Sequence, residues 1–152
     1  MKGRMWDSFQ AFEDTPPDIF RFERLWLFGM VLGAVNGILL FEDIMRELRF
    51  FGDLKGLVTA LGDIAALCVS VLVMAYASRH KSNVAKWLLA VPYNLTILLF
   101  YVTCLLFVTD NSLVVVLSLA HLGLIAAATR KLFTPASQVW FTGVLPPADE
   151  ED

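Results

Sequence analysis

Charge in this chain is confined to particular stretches. Residues 25–41, 57–78, 87–109 and 112–129 together hold a single formal charge, Asp63, and every other acid, lysine and arginine lies outside them. A bilayer core about 30 Å thick takes roughly 20 apolar residues per spanning helix, with ~17–25 the working range. All four stretches fit. A soluble chain has about a quarter of its residues charged, whereas this one has 18%, with 57% hydrophobic residues and a mean hydropathy of +0.64. The predicted fold class is an all-α integral membrane protein. It is a four-transmembrane-helix bundle with short loops, forming one membrane domain over 1–152.

The first span is the most patterned. Gly29, Gly33 and Gly37 recur every four residues and share one helical face, with Asn36 on the same side. Lipid supplies little hydrophobic drive between helices, so backbones approach along small residues. The second span carries Thr59, Asp63, Ala66 and Ser70 at spacings of four, three and four. The expectation is that this stripe packs on the glycine face. A competing expectation is that the glycines meet a second protomer.

Around the spans, residues 1–14 read as a short amphipathic interfacial helix or a disordered segment, without the continuous apolar run of a signal peptide. The first span then acts as its own insertion signal. Thr15 is placed as N-cap and Pro16 as first helical residue. Residues 42–52 read as an overhang of the first helix or a separate surface helix, ending at Gly52, with Asp53 capping the second helix. Pro92 predicts a kink, and 132–152 is assigned as a cytoplasmic tail. Cys68 and Cys104 differ in depth by nearly 10 Å at ~1.5 Å per residue, which argues against a disulfide. Both termini and the 78–86 loop share one side. That side carries Lys2, Arg4, Arg21, Arg24, Arg79, Lys81, Lys86, Arg130 and Lys131, against Arg46, Arg49 and Lys55 opposite. The positive-inside rule puts both termini in the cytoplasm, and the membrane is read as a bacterial inner (plasma) membrane.

Two polar pairs are candidate intramembrane sites. Asp63 lies about 12 Å into its span and Asn36 about 9 Å from the outer end of the first, at ~1.5 Å per residue. One reading is a proton or cation site in which Asp63 titrates and Asn36 orients it; the other is a hydrogen-bonded lock between two helices. His121 and Asn94 lie at similar depth from the opposite side. They read as a relay or, preferentially, an interhelical hydrogen bond involving Asn94 or Tyr93, with Ser118 on the same face.

No phosphate-cradling glycine loop, H-E-x-x-H or G-x-S-x-G motif is present, and no cofactor, metal or nucleic-acid partner is expected. His80, in its basic loop, is the only support for a lipid-handling enzyme. The expected function is therefore a non-enzymatic structural or accessory subunit, embedded in the lipid bilayer as a homo-oligomer or part of a membrane complex. The alternative is a small oligomeric proton- or ion-coupled transporter or channel using Asp63 with Asn36.

Overall fold

Helix α1 runs unbroken from Pro17 to Glu47 in the computed structural model of the chain, which describes residues 15–47, 54–108 and 110–143. Its first turn is tight, the Ile19 amide donating to the Pro16 carbonyl at 2.9 Å. The first helical residue is thus Pro17 rather than Pro16, one position later than the Thr15 cap predicts. The stretch after Phe41 continues the same helix as far as Glu47. The reading of residues 1–14 and the assignments of Gly52 and Asp53 as caps fall outside the described residues.

Helix α2 spans Lys55–Arg79. The third apolar stretch is built in three pieces: α3 (Asn83–Leu88), a π-helical turn (Leu89–Tyr93) and α4 (Asn94–Phe107). Ser82 caps α3 by accepting from the Ala85 amide at 3.2 Å. The predicted kink at Pro92 takes the form of that π turn. Proline offers no N–H and its ring crowds the preceding turn, so the helix widens there. Asn94 repairs the break, its side-chain amide donating to the Leu89 carbonyl at 2.6 Å.

Helix α5 (Ser112–Lys131) is capped by Asn111, which accepts from the Leu113 amide. A further helix, α6 (Pro135–Thr142), follows. The segment assigned as a tail thus contains a short helix that the sequence reading did not anticipate. Thr134 caps α6, Pro135 sits in its first turn, and Gly143 ends it at φ 69°, the left-handed conformation that suits glycine. The helix turns back under the bundle, and its Trp140 indole donates to the Ser78 carbonyl at 3.3 Å.

Four of these segments, Pro17–Phe41, Gly56–Arg79, Asn83–Phe107 and Ser112–Lys131, are long and apolar enough to cross a membrane. The described residues are all-helical, with no strand. Successive spans alternate in direction. At the end bearing α6, Lys131 pairs with Asp18 at 3.2 Å, and Arg79 with Glu23 at 2.9 Å.

The main seam joins α1 to α5. Buried positions on α5 fall at Val114, Ser118, His121, Ile125 and Ala128, with Leu132 just beyond. Those on α1 include Ile19, Phe22, Trp26, Gly29, Asn36 and Leu40. Both series step by alternating threes and fours, apart from the half-buried Gly33 that fills the missing step on α1. That is the heptad spacing of antiparallel helices packed at a shallow crossing angle. A Cβ on Gly29 would lie 2.7 Å from Ile125 Cδ1, and one on Gly33 would lie 2.5 Å from His121 Cε1.

The glycine face therefore receives the fourth span, not the second. Thr59, Asp63 and Ala66 do not fill it, and Gly37 has open space around it. Helix α2 touches α1 instead at its start and over its second half. Gly56 lies near Met45 and Phe41. Ser70 accepts from the Trp26 indole at 3.1 Å and donates to Met30 Sδ at 3.1 Å. The physical reason is size: Ile125 and His121 are knobs that fill glycine notches, whereas the small stripe of α2 offers no knob at that depth.

A graded alanine series tests this seam. Gly37→Ala should leave stability unchanged, and Gly29→Ala should cost little because a flexible Ile125 terminus can yield. Gly33→Ala should cost about 1–3 kcal/mol, the usual range for overpacking. Reversible unfolding in detergent or bicelles reads all three, and equal effects at the three glycines would contradict the seam.

Candidate functional site

Halfway along the α1–α5 seam the packing changes from apolar to polar. Asn36 is fully buried and donates through Nδ2 to Ser118 Oγ at 2.8 Å. One turn away, His121 lies against Gly33, and its Nδ1 is 2.6 Å from the Tyr101 hydroxyl. The two rings meet edge-on with centroids 5.5 Å apart. Tyr101 comes from α4, so the layer links the first, third and fourth spans. Gly33 makes this possible: any side chain there would occupy the space of the imidazole.

Below the layer, Trp26 organises a second junction. Its ring lies 4.9 Å from that of Tyr93, and the Tyr93 hydroxyl donates to Met30 Sδ at 3.4 Å. With Ser70, this ties α1, α2 and the π turn together. Above the layer, Leu40, Cys104 and Val114 close the core around Tyr101. Cys104 is buried and Cys68 exposed, and neither is in a disulfide.

The candidate residues are thus partitioned differently from the two pairs read in the sequence. Asn36 and His121 belong to one layer. Asn94 instead donates to Thr129 Oγ1 at 3.0 Å as well as to the Leu89 carbonyl. It mends the π turn and pins it to α5, so the predicted His121–Asn94 pair is replaced by His121–Tyr101. Asp63 is exposed on α2 and makes no hydrogen bond or ion pair among the described residues. The Asn36–Asp63 pairing does not form: Asn36 is enclosed against α5 and bonded to Ser118, while Asp63 lies in the exposed run 61–66 of α2. Thr59 is half-buried and Ala66 exposed, whereas Ser70 is buried at the Trp26 junction.

Two atoms of the layer have no partner among the described residues: Asn36 Oδ1 and His121 Nε2. A phenol donating to Nδ1 leaves the ring proton on Nε2. The layer would then hold one unused acceptor and one unused donor, each normally costing about 1–3 kcal/mol when buried. Among the described residues no three His, Cys, Asp or Glu side chains gather as metal ligands would. The layer has no acid beside the imidazole and no activated nucleophile. What it does chemically is fix register: a one-turn slide of α1 against α5 would bring another glycine, Gly29 or Gly37, to His121, so it is the Asn36–Ser118 bond that such a slide would break.

Tyr101 is the residue that sequence reasoning missed. Its signal is the Tyr101–Cys104 spacing, a three-residue step on the face of α4 that meets the heptad stripe of α5. Compared with family models, curated proteins and solved structures, the chain matches none.

A double-mutant cycle checks the layer. Tyr101→Phe with His121→Phe, and separately Asn36→Leu with Ser118→Ala, should each show a coupling of about 0.6 kcal/mol and at most ~1.7, the range for interhelical hydrogen bonds in bilayers. Asn36→Leu with Asp63→Leu should show none.

Proposed function

We propose that this chain is a non-enzymatic structural or accessory membrane subunit that works by helix–helix assembly, with the far half of α2 as its assembling edge. One observation carries the reading. Asp63, the lone charge of the apolar stretches, is exposed on α2 with no partner among the described residues. A charged side chain at the centre of a lipid-embedded helix costs about 2.5–3.5 kcal/mol on insertion scales. An acid left facing acyl chains at that depth calls for a partner.

The surroundings of Asp63 suit close approach. Gly62 and Ala66 are exposed beside it, and nothing lies within 4 Å of where a Gly62 side chain would start. Only 11% of the apolar window of this span is buried within the chain, against 28% in the first and fourth spans. Small residues flanking a polar one are what transmembrane helices use to associate. The segments between the spans are short, leaving little chain for a separate catalytic domain.

The same reading takes both termini as cytoplasmic, in a bacterial inner membrane, because the basic residues concentrate at the end bearing α6. The proton- or ion-coupled alternative relied on Asp63 acting with Asn36. With Asn36 engaged to Ser118, that alternative has lost the geometry that favoured it.

The test is a native pull-down and mass determination in mild detergent. The wild-type chain should migrate as an oligomer or with a stoichiometric partner. Asp63→Leu should weaken that association by roughly tenfold, equivalent to the 1–2 kcal/mol found for polar side chains linking transmembrane peptides. Asp63→Asn, which still hydrogen-bonds, should largely preserve it. A monodisperse wild-type monomer without a partner, or a Asp63→Leu chain that associates as tightly as wild type, would refute the assignment.

A further inference from the structure

The polar layer contains a titratable ring that neither the helix register nor the α2 edge puts to use. His121 is only 5% exposed and sits in the middle of the α1–α5 seam. Its own helix places Val114, Ser118 and Ile125 on the same buried face. Across the seam, α1 presents Gly33 and, one turn away, Gly29. Helix α4 supplies the Tyr101 hydroxyl, 2.6 Å from Nδ1, with Cys104 buried beside Tyr101 in the same core. Helix α2 carries the one acid of the apolar stretches, and Asp63 is exposed without a bond to the layer. No carboxylate, lysine or arginine faces the ring among the described residues.

The bonds of the layer suit a neutral imidazole. The phenol donates to Nδ1, and Asn36 Nδ2 donates to Ser118 Oγ at 2.8 Å. A proton added at Nδ1 removes that acceptor. Tyr101 must then accept from the ring and turn its own O–H elsewhere. Asn36 Oδ1 is the acceptor of the layer left unclaimed among the described residues, and Nε2, then part of a charged ring, still has no partner there. Nor does water fit between the ring and α1, because Nε2 lies 3.1 Å from where a Gly33 Cβ would stand. One hydrogen bond gained by Asn36 is small against a buried charge with no counter-ion. The closed seam therefore tolerates only the neutral ring.

We infer that the layer is an acid-sensitive clasp: uptake of a proton by His121 parts α1 from α5 at Gly33 and reopens the notches at Gly29 and Gly33. The neutral ring closes the seam and the charged ring opens it. The clasp is independent of the Asp63 edge, which lies on another span.

The test follows reversible unfolding of the full-length chain in bicelles between about pH 7.5 and 5.5. This window brackets the ~6.5 at which an imidazole ordinarily titrates and stays above the ordinary carboxylate range. The unfolding constant should rise by up to about tenfold for each pH unit below ~6.5, the limit for one proton bound by the opened chain alone. His121→Gln should flatten the profile, whereas Tyr101→Phe, which keeps the imidazole, should keep the slope. His80→Gln and Asp63→Asn, which remove the other histidine and the acid of the apolar stretches, should keep it too. A second readout locates the opening. Spin labels at Ile38→Cys and Val116→Cys, both exposed positions on the two helices, in a Cys68→Ala, Cys104→Ala chain should move apart on acidification. A flat wild-type profile, a slope that survives His121→Gln, or labels that stay together while stability falls would overturn the clasp. If His121→Gln does not fold, the controls decide: loss of the slope in His80→Gln or Asp63→Asn overturns it, and retention in both upholds it.

Discussion

The contact between Gly33 and the His121 imidazole is the point on which the rest of the bundle depends. A virtual Cβ at Gly33 comes within 2.5 Å of the ring, so the close approach of α1 and α5 exists only because residue 33 has no side chain. In lipid, helix association relies on packing and hydrogen bonds rather than on expelling water. The seam uses both. Ile125 fills the notch at Gly29, His121 fills the one at Gly33, and Asn36 bonds to Ser118 where the helices stay close. Tyr101 then brings α4 to the same level. Helix α2 is left with contacts at its start and over its second half and an exposed run at 61–66, so its acid meets nothing among the described residues.

The polar layer and the ion pairs divide the work of specification. Glu23–Arg79 and Asp18–Lys131 join the helix ends, but Arg79 is half-exposed, and exposed pairs of this type contribute about 0–1 kcal/mol. Their role is to align the ends. The layer is buried, so its bonds are difficult to exchange for any alternative. Its two unpartnered atoms, Asn36 Oδ1 and His121 Nε2, mean that the register is held at a cost in stability. A bundle closed by Leu and Ile alone would lack that cost and also lack the unique register.

Much of the architecture was legible because bilayer physics restricts the possibilities so strongly. Four apolar runs of suitable length, with a single charge among them, admit four helices and little else, and Pro92 marked the irregular turn. Partner choice was harder. The small stripe of α2 and the glycines of α1 share a period and are neighbours in sequence, which suggested a contact that does not form. The deciding information was the size of the opposing side chain, and it lay in Ser118–His121–Ile125, over eighty residues away. Asn94 illustrates a second difficulty: its partners are a carbonyl and a hydroxyl exposed by the π turn, and a local break of that kind is not written in apolar periodicity. Helix α6 was missed despite its Thr-Pro start and Gly143 stop, because the acidic run that follows drew the whole segment into a tail.

Filling of the first span from within the chain is what leaves the α2 edge open to the proposed assembly. Cysteine cross-linking in native membranes tests it most directly. In a chain carrying Cys68→Ala and Cys104→Ala, Asn36→Cys with Ser118→Cys should oxidise to an intramolecular bond, leaving the protein at monomer size on a denaturing gel. Cross-linking of Asn36→Cys between two chains, or an intramolecular bond formed instead between Asn36→Cys and Asp63→Cys, would contradict it.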